Sequence, residues 1–147
     1  MTKYTLALVT HQSRLEDMID LIKAHETEMA EWKFAANMET AGAINSLTGV
    51  KVTGIYSSIS GSNHNIIDLI AKNQISGVIY LTDKNKLGVE NVDLLDFLQK
   101  SMEEDIPLAV NLSSAEALIH LIADHPEALK GHHIAAKFLE DASAKHE

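Results

Sequence analysis

The polar loop at residues 57–65 is the segment of the chain best suited to chemistry. It contains four serines, one glycine and two asparagines, and it lies between a strand-like run and the start of a helix. Backbone N–H groups and the positive end of the helix dipole favour an anion at such a position. The loop therefore predicts a site for a phosphate or a carboxylate. An ordinary solvated turn is the alternative, because serine, asparagine and glycine are common in turns.

His11 and Asp83 each follow an apolar, strand-like run. Of the eight histidines, His11 is the one that we expect in a site, because it leaves a buried strand directly. Asp83 either takes part in catalysis or caps the loop that begins at residue 84. His132 and His133 are adjacent, so on a helix they point in different directions and cannot share an ion. We predict neither a metal nor a cofactor.

Short apolar runs alternate with amphipathic stretches along the chain. Strands are predicted at residues 4–10, 33–36, 50–56, 77–81 and 106–110. Helices are predicted at residues 15–22, 40–47, 64–72, 91–102, 113–122 and 127–144, with S-x-x-E capping boxes at residues 13–16 and 113–116. In the helix at 91–102, the residues expected to face inward are Leu94, Leu95, Leu98 and Met102. This alternation predicts a three-layer α/β/α sandwich with a five-stranded parallel sheet, whose ligands bind at the carboxyl ends of the strands.

The length and composition of the chain limit its domain number and the kinds of molecule that it can bind. A length of 147 residues predicts a single domain, residues 1–147. The net charge of −9 disfavours nucleic acid and membrane surfaces as partners. There is no cysteine, no Walker loop and no G-x-G-x-x-G fingerprint. Without a signal-peptide layout or a long apolar run, we expect a soluble, cytoplasmic protein.

Motifs at the predicted strand ends resemble those of the methylglyoxal synthase family, over about the first 125 residues. They are LVTHQ at 8–12, TAG at 40–42, the loop at 57–65, IYLTD at 79–83, and DIPLAVN at 105–111 followed by Ala115. The resemblance implies the family fold, a homo-oligomer that is commonly a hexamer, and a lyase reaction. In that reaction a proton is removed from dihydroxyacetone phosphate, and the resulting enediolate expels phosphate to leave methylglyoxal.

The resemblance also assigns roles to individual residues. His11, Asp83 and Asp93 keep the family's identity among the polar site residues. The residues that the resemblance predicts to bind the substrate and its phosphate are Gln12, Thr40, Gly42, Ser57 and Ser58. The family's base aspartate falls on Asn63, the aspartate after the first-strand histidine falls on Gln12, and a later histidine falls on Glu90. Met38, Glu39, Ala41 and Ser58 replace the threonines and glycines expected at the phosphate. A neutral amide cannot accept the proton, and losing a positioned base typically costs about 10²–10⁴ in rate.

Three hypotheses follow from these substitutions. The first is a methylglyoxal-synthase-like lyase with weak, altered or lost activity on dihydroxyacetone phosphate. The second is a non-catalytic sensor that binds a small phosphorylated metabolite, or inorganic phosphate, through Thr40, Ser57 and the loop at 58–65. The third is a scaffold with an empty, vestigial pocket.

Overall fold

The structure, a computed structural model, describes residues 5–57, 63–83 and 92–126. The elements in chain order are β1 (Thr5–Thr10), a 3-10 turn (Gln12–Arg14), α1 (Leu15–Ala24), α2 (Glu26–Met29), β2 (Lys33–Asn37), α3 (Met38–Leu47), β3 (Thr53–Ile55), α4 (His64–Ala71), β4 (Gly77–Leu81), α5 (Val92–Glu104), β5 (Leu108–Ala109) and α6 (Leu112–Asp124). The helix predicted at residues 127–144 lies outside the described residues.

The five strands form one parallel sheet in the order β3-β2-β1-β4-β5. β1 is central, and its Leu6 is in register with Phe34 of β2 and with Gly77 of β4. β4 is buried along its whole length, as its unbroken apolar sequence predicts for a strand that is covered on both faces. The predicted five-stranded parallel sheet is confirmed.

Helices cover both faces of the sheet. One apolar cluster joins α4 and α5 to one face, through Ile66, Ile67, Ile70, Phe97, Ala7, Val9, Val78 and Tyr80. The other joins α1, α3 and α6 to the opposite face, through Met18, Ile22, Ile44, Ile119, Leu6, Leu8, Ile79 and Leu81. Neighbouring β1 residues enter opposite clusters because successive strand side chains point to opposite faces. The result is the predicted three-layer sandwich. Among the described helices, none has both the length and the apolar character needed to cross a bilayer.

The buried face of α5 differs from the prediction. Leu95 and Met102 are 71% and 73% exposed, and Leu98 is 44% exposed. Phe97 is buried instead and packs against Tyr80 of β4, with ring centroids 5.4 Å apart. The helix carries two apolar stripes, and periodicity alone does not indicate which one the aromatic contact turns toward the sheet. Only Leu94 of the predicted four is packed against the core.

The two predicted capping boxes are also wrong. α6 begins at Leu112 because Asn111 Oδ1 accepts the Ser114 N–H at 2.8 Å. α3 likewise begins two residues earlier than predicted, because Asn37 Oδ1 accepts the Thr40 N–H at 2.9 Å. At α1 the side chain of Ser13 bonds outside the helix. An asparagine at a strand end satisfies the free N–H groups before a serine further along the chain is needed.

His25 connects the corner between α1 and α2 to α6. Its Nδ1 lies 2.8 Å from Glu28 Oε2, and its Nε2 lies 2.7 Å from Glu116 Oε2. The imidazolium form can donate from both nitrogens at once. The hydrogen bond with Glu116 raises the pKa of His25, burial opposes this effect, and Glu28 adds to it. His120 lies 3.6 Å from the same Glu116 oxygen, so a second imidazole faces this carboxylate.

We expect the stabilisation by this contact to be lost as the pH rises. Folding raises the pKa of His25, so protonated His25 contributes fully to the free energy of unfolding at pH values below its ordinary pKa of 6.5. This contribution disappears as the pH rises past the pKa of His25 in the folded protein. Glu116→Gln should lower the free energy of unfolding by about 1 kcal/mol near pH ~5.5, and by less near pH ~9. Urea unfolding at both pH values measures this difference. Glu31→Gln, at an exposed position, is the control. An equal loss at both pH values would contradict the prediction.

Candidate active site

The carboxyl edge of the sheet brings together polar side chains from separate parts of the chain. His11 follows β1, Asn37 ends β2 and Asp83 follows β4. Asn63 and Asp93 stand at the starts of α4 and α5. Among these residues the structure forms two hydrogen-bonded groups.

The first group links His11 to Asp83 through Ser13. Ser13 Oγ lies 2.8 Å from His11 Nδ1 and 3.3 Å from Asp83 Oδ2, and its single hydroxyl proton is donated to one of these two acceptors at a time. The backbone N–H of Ser13 donates to His11 Nδ1 at 3.1 Å. Because Nδ1 accepts this N–H, the proton of the neutral ring lies on Nε2. His11 can therefore donate a hydrogen bond from Nε2 while Nδ1 is held in place.

Backbone contacts fix the position of this group. The His11 N–H donates to the Leu81 carbonyl at 2.7 Å, which continues the pairing of β1 with β4 beyond the strand. Arg14 Nη1 donates to the Thr82 carbonyl at 3.0 Å, and Arg14 Nε donates to Asp17 at 2.7 Å. The segment that carries Asp83 is thus held against the start of α1.

The second group is a chain of side chains that runs across the sheet edge. Asn37 Nδ2 donates to Asn63 Oδ1 at 3.2 Å, and Asn63 Nδ2 donates to Asp93 Oδ2 at 2.9 Å. The Tyr80 hydroxyl donates to the other oxygen of Asp93. Burial raises the pKa of Tyr80 far above its ordinary value, and the hydrogen bond with Asp93 raises it further. The phenol therefore remains protonated and acts as the donor.

A cavity of about 350 Å³ opens beside these groups, at the ends of β1 and β2. Its polar lining comes from Thr10, Gln12, Asn37, Glu39 and Thr40, with Leu15 and Ala43 as apolar walls. This volume is within the range of small-molecule sites. Hydroxyl and amide groups dominate the lining, so the cavity suits an oxygen-rich small molecule.

The predicted site residues divide between these features. His11 and Asp83 share one group, Asn63 and Asp93 share the other, and Gln12 and Thr40 line the cavity. Gly42 is exposed on α3, and Ser57 is half-buried shortly after β3. Ser58 and Glu90 lie outside the described residues. Within residues 5–57, 63–83 and 92–126, no three histidine or acidic side chains are arranged to hold a metal ion.

Of the polar residues in the two groups, Ser13 and Tyr80 were not predicted as site residues, and Asn37 was predicted only as the first residue of the strand-end segment at 37–42. Asn37 carries a recognisable signal, because an asparagine between a strand and a helix is typical of an N-cap. Tyr80 carries a weaker signal, a polar hydroxyl within an otherwise apolar strand. Ser13 was interpreted as part of a capping box, which concealed its contact with His11.

Comparison with known proteins identifies the family. The chain is 32% identical over 119 residues to a methylglyoxal synthase of Bacillus licheniformis, covering 81% of this chain and 87% of that protein. The chain belongs to the methylglyoxal synthase family. The methylglyoxal synthase of Agrobacterium fabrum is 28% identical over 115 residues, which cover 78% of this chain and 91% of that protein. No protein-family model matches the chain.

The fold agrees with this family membership. The crystal structure of methylglyoxal synthase from Elizabethkingia anophelis superposes with a TM-score of 0.72 at 23% identity, covering 80% of this chain and 77% of that one. The predicted resemblance to methylglyoxal synthases is therefore confirmed, in sequence and in architecture.

Asn37 should matter more to stability than an ordinary cap. Asn37→Ala removes the cap of α3 and also the donor to Asn63, whereas Asn111→Ala removes only the analogous cap of α6. We expect Asn111→Ala to lower the free energy of unfolding by about 1 kcal/mol, and Asn37→Ala by about 2 kcal/mol. Urea unfolding of the two variants tests the difference. Equal losses would show that the contact between Asn37 and Asn63 contributes nothing.

Proposed function

We propose that the chain is a slow lyase that converts dihydroxyacetone phosphate into methylglyoxal and inorganic phosphate. The observation that carries the proposal is the group formed by His11, Ser13 and Asp83, in a member of the methylglyoxal synthase family. It supplies a carboxyl group and an imidazole at the edge of the sheet where ligands of this fold class bind.

The proposed reaction uses this group directly. The Asp83 carboxylate removes a proton from the hydroxymethyl carbon of the substrate, and the electron pair moves into an enediolate. His11 donates from Nε2 to the developing negative oxygen. The hydroxyl proton of the former hydroxymethyl group passes to the neighbouring enediolate oxygen. The oxygen that has lost its proton becomes the aldehyde carbonyl, the carbon–oxygen bond to phosphate breaks, and phosphate leaves with the electron pair. The remaining enol gains a proton on carbon to become methylglyoxal.

Asp83 is a better candidate for the base than Asp93. Both oxygens of Asp93 already accept hydrogen bonds, from Tyr80 and Asn63. Asp83 instead shares the contact of Ser13 with His11, so this carboxylate belongs to the same group as the imidazole that would donate to the substrate. The amide at position 63, where the family resemblance expects the base, accounts for a slow reaction.

Restoring carboxylates should increase turnover. We expect Asn63→Asp, alone and combined with Gln12→Asp, to raise phosphate release from dihydroxyacetone phosphate, because general-base catalysis contributes about 10²–10⁴ in rate. Phosphate and methylglyoxal are both measured, and their amounts should be equal. Asn73→Asp is the matched control, at an exposed position with a positive φ that aspartate tolerates. Wild-type turnover equal to that of the double variant would rule out position 63 as the site of a lost base.

A non-catalytic sensor is the second candidate function. It is favoured by the way in which the amide of Asn63 bonds to Asn37 on one side and to Asp93 on the other. Such an arrangement presents no base at position 63. Saturable binding of dihydroxyacetone phosphate, with no release of phosphate, would identify the sensor.

Both candidate functions require an anion site at Thr40, Gly42, Ser57 and Ser58. Phosphate at a hundred times its dissociation constant should stabilise the fold by about 2.7 kcal/mol. For a domain of this size, that corresponds to a rise of about 5–10 °C in melting temperature. Ser57→Asp should abolish the rise, whereas Ser46→Asp, on the exposed side of α3, should not. Equal shifts in both variants would show that phosphate acts only as a general stabilising salt.

We also propose that the chain works in the cytoplasm as a homo-oligomer, a hexamer on the strength of the family resemblance. The exposed apolar side chains of Leu95, Leu98 and Met102 share one face of α5 and offer a surface for such contacts.

A further inference from the structure

Asp93 is held by two donors, one on each carboxylate oxygen. The Tyr80 hydroxyl donates to Oδ1, and Asn63 Nδ2 donates to Oδ2 at 2.9 Å. Tyr80 is only 4% exposed and its ring packs against Phe97 of α5. The hydroxyl is therefore fixed by a buried strand on one side and by α5 on the other.

The hydrogen bonds along this group have a single possible direction. The Thr40 N–H must donate, so Asn37 presents its oxygen to Thr40 and its NH₂ to Asn63. Asn63 then accepts on its oxygen and presents its own NH₂ to Asp93. Each amide has one orientation that satisfies both neighbours. The side chain at position 63 is thereby required to be a donor toward Asp93.

A carboxyl group at position 63 would face Asp93 across this short distance. Two carboxylates so close cannot both be charged, so one of them must carry a proton. The Tyr80 hydroxyl donates to Asp93 and favours its charged form. The proton would consequently stay mostly on the group at position 63, so that only a small fraction of this group would be the carboxylate that can act as a base.

We propose that Tyr80 is a positioning residue: its hydroxyl holds one oxygen of Asp93, so that the other oxygen accepts from the side chain at position 63, and with a carboxyl group at position 63 it would keep the negative charge of the pair on Asp93. The inference rests on the proposed lyase function where it concerns rate, but its structural part does not require turnover. Other titratable groups on the surrounding elements are His64 and Asp68 on α4, Asp96, Lys100, Glu103 and Glu104 on α5, and Asp83 beyond β4. Tyr80 is the group that contacts Asp93 from β4.

Carboxyl NMR locates the proton in this pair. In Asn63→Asp we expect the carboxyl carbon at position 63 to titrate well above the ordinary range of aspartate, and that of Asp93 below it. In Asn63→Asp combined with Tyr80→Phe, the two titrations should approach each other or exchange order. Tyr56→Phe in the Asn63→Asp background is the control, because Tyr56 is 73% exposed. If Tyr80→Phe does not fold, 3,5-difluorotyrosine at position 80 keeps the ring and strengthens the donor, and should move the two titrations further apart.

Kinetics then test the consequence for the reaction. At neutral pH, Asn63→Asp with Tyr80→Phe should release phosphate from dihydroxyacetone phosphate about tenfold faster than Asn63→Asp alone, the effect of one unit in the pKa of a base. The pH at which the rate reaches half its maximum should fall by a similar amount. Titrations that are unchanged by Tyr80→Phe would overturn the role of Tyr80. Titrations that change as expected while no variant releases phosphate would support the role of Tyr80 and contradict the lyase function instead.

Discussion

The pairing of β1 with two neighbours determines where every polar group of the candidate site lies. β1 is in register with β4 through five residue pairs and with β2 through three. The three strands run in parallel, so their carboxyl ends meet at one edge, and His11, Asn37 and Asp83 meet there although they are distant in sequence. The contact from the His11 N–H to the Leu81 carbonyl extends this pairing into the site itself. Loss of apolar packing beneath β1 would therefore displace these polar groups together with the strands that carry them.

Much of this arrangement could be predicted from the sequence because it depends on local pattern. The run GVIYL gave the bounds of β4 correctly, and the alternation of strands with helices gave the parallel sheet. The strand-end rule places His11, Asn63 and Asp83 at one edge, and the family resemblance adds Asp93. The face of α5 could not be predicted, since it depends on the contact of Phe97 with Tyr80, which are distant in sequence. Ser13 was misassigned for the same reason, because its partner Asp83 is 70 residues away.

The side-chain amide of Asn63 is hydrogen-bonded to residues on both sides of it. In isolation, asparagine in place of an aspartate indicates a lost base. In the structure the same amide satisfies Asn37 on one side and Asp93 on the other, as a carboxylate could not without a proton. Buried polar groups are costly when they are only partly satisfied, so the members of such a network depend on one another. The substitution at 63 and the tyrosine at 80 are thus best understood as parts of one arrangement.

Asn37 has two functions that place opposite demands on its side chain. Its oxygen begins α3, a role that serine, threonine or aspartate could also perform. Its NH₂ group orients Asn63, and none of those three residues has such a group. Glutamine has the amide but is one methylene longer, which moves the cap away from the Thr40 N–H. Position 37 should therefore accept unusually few substitutions for a residue outside the apolar core. Among homologues, a substitution at position 37 should be accompanied by a substitution at position 63.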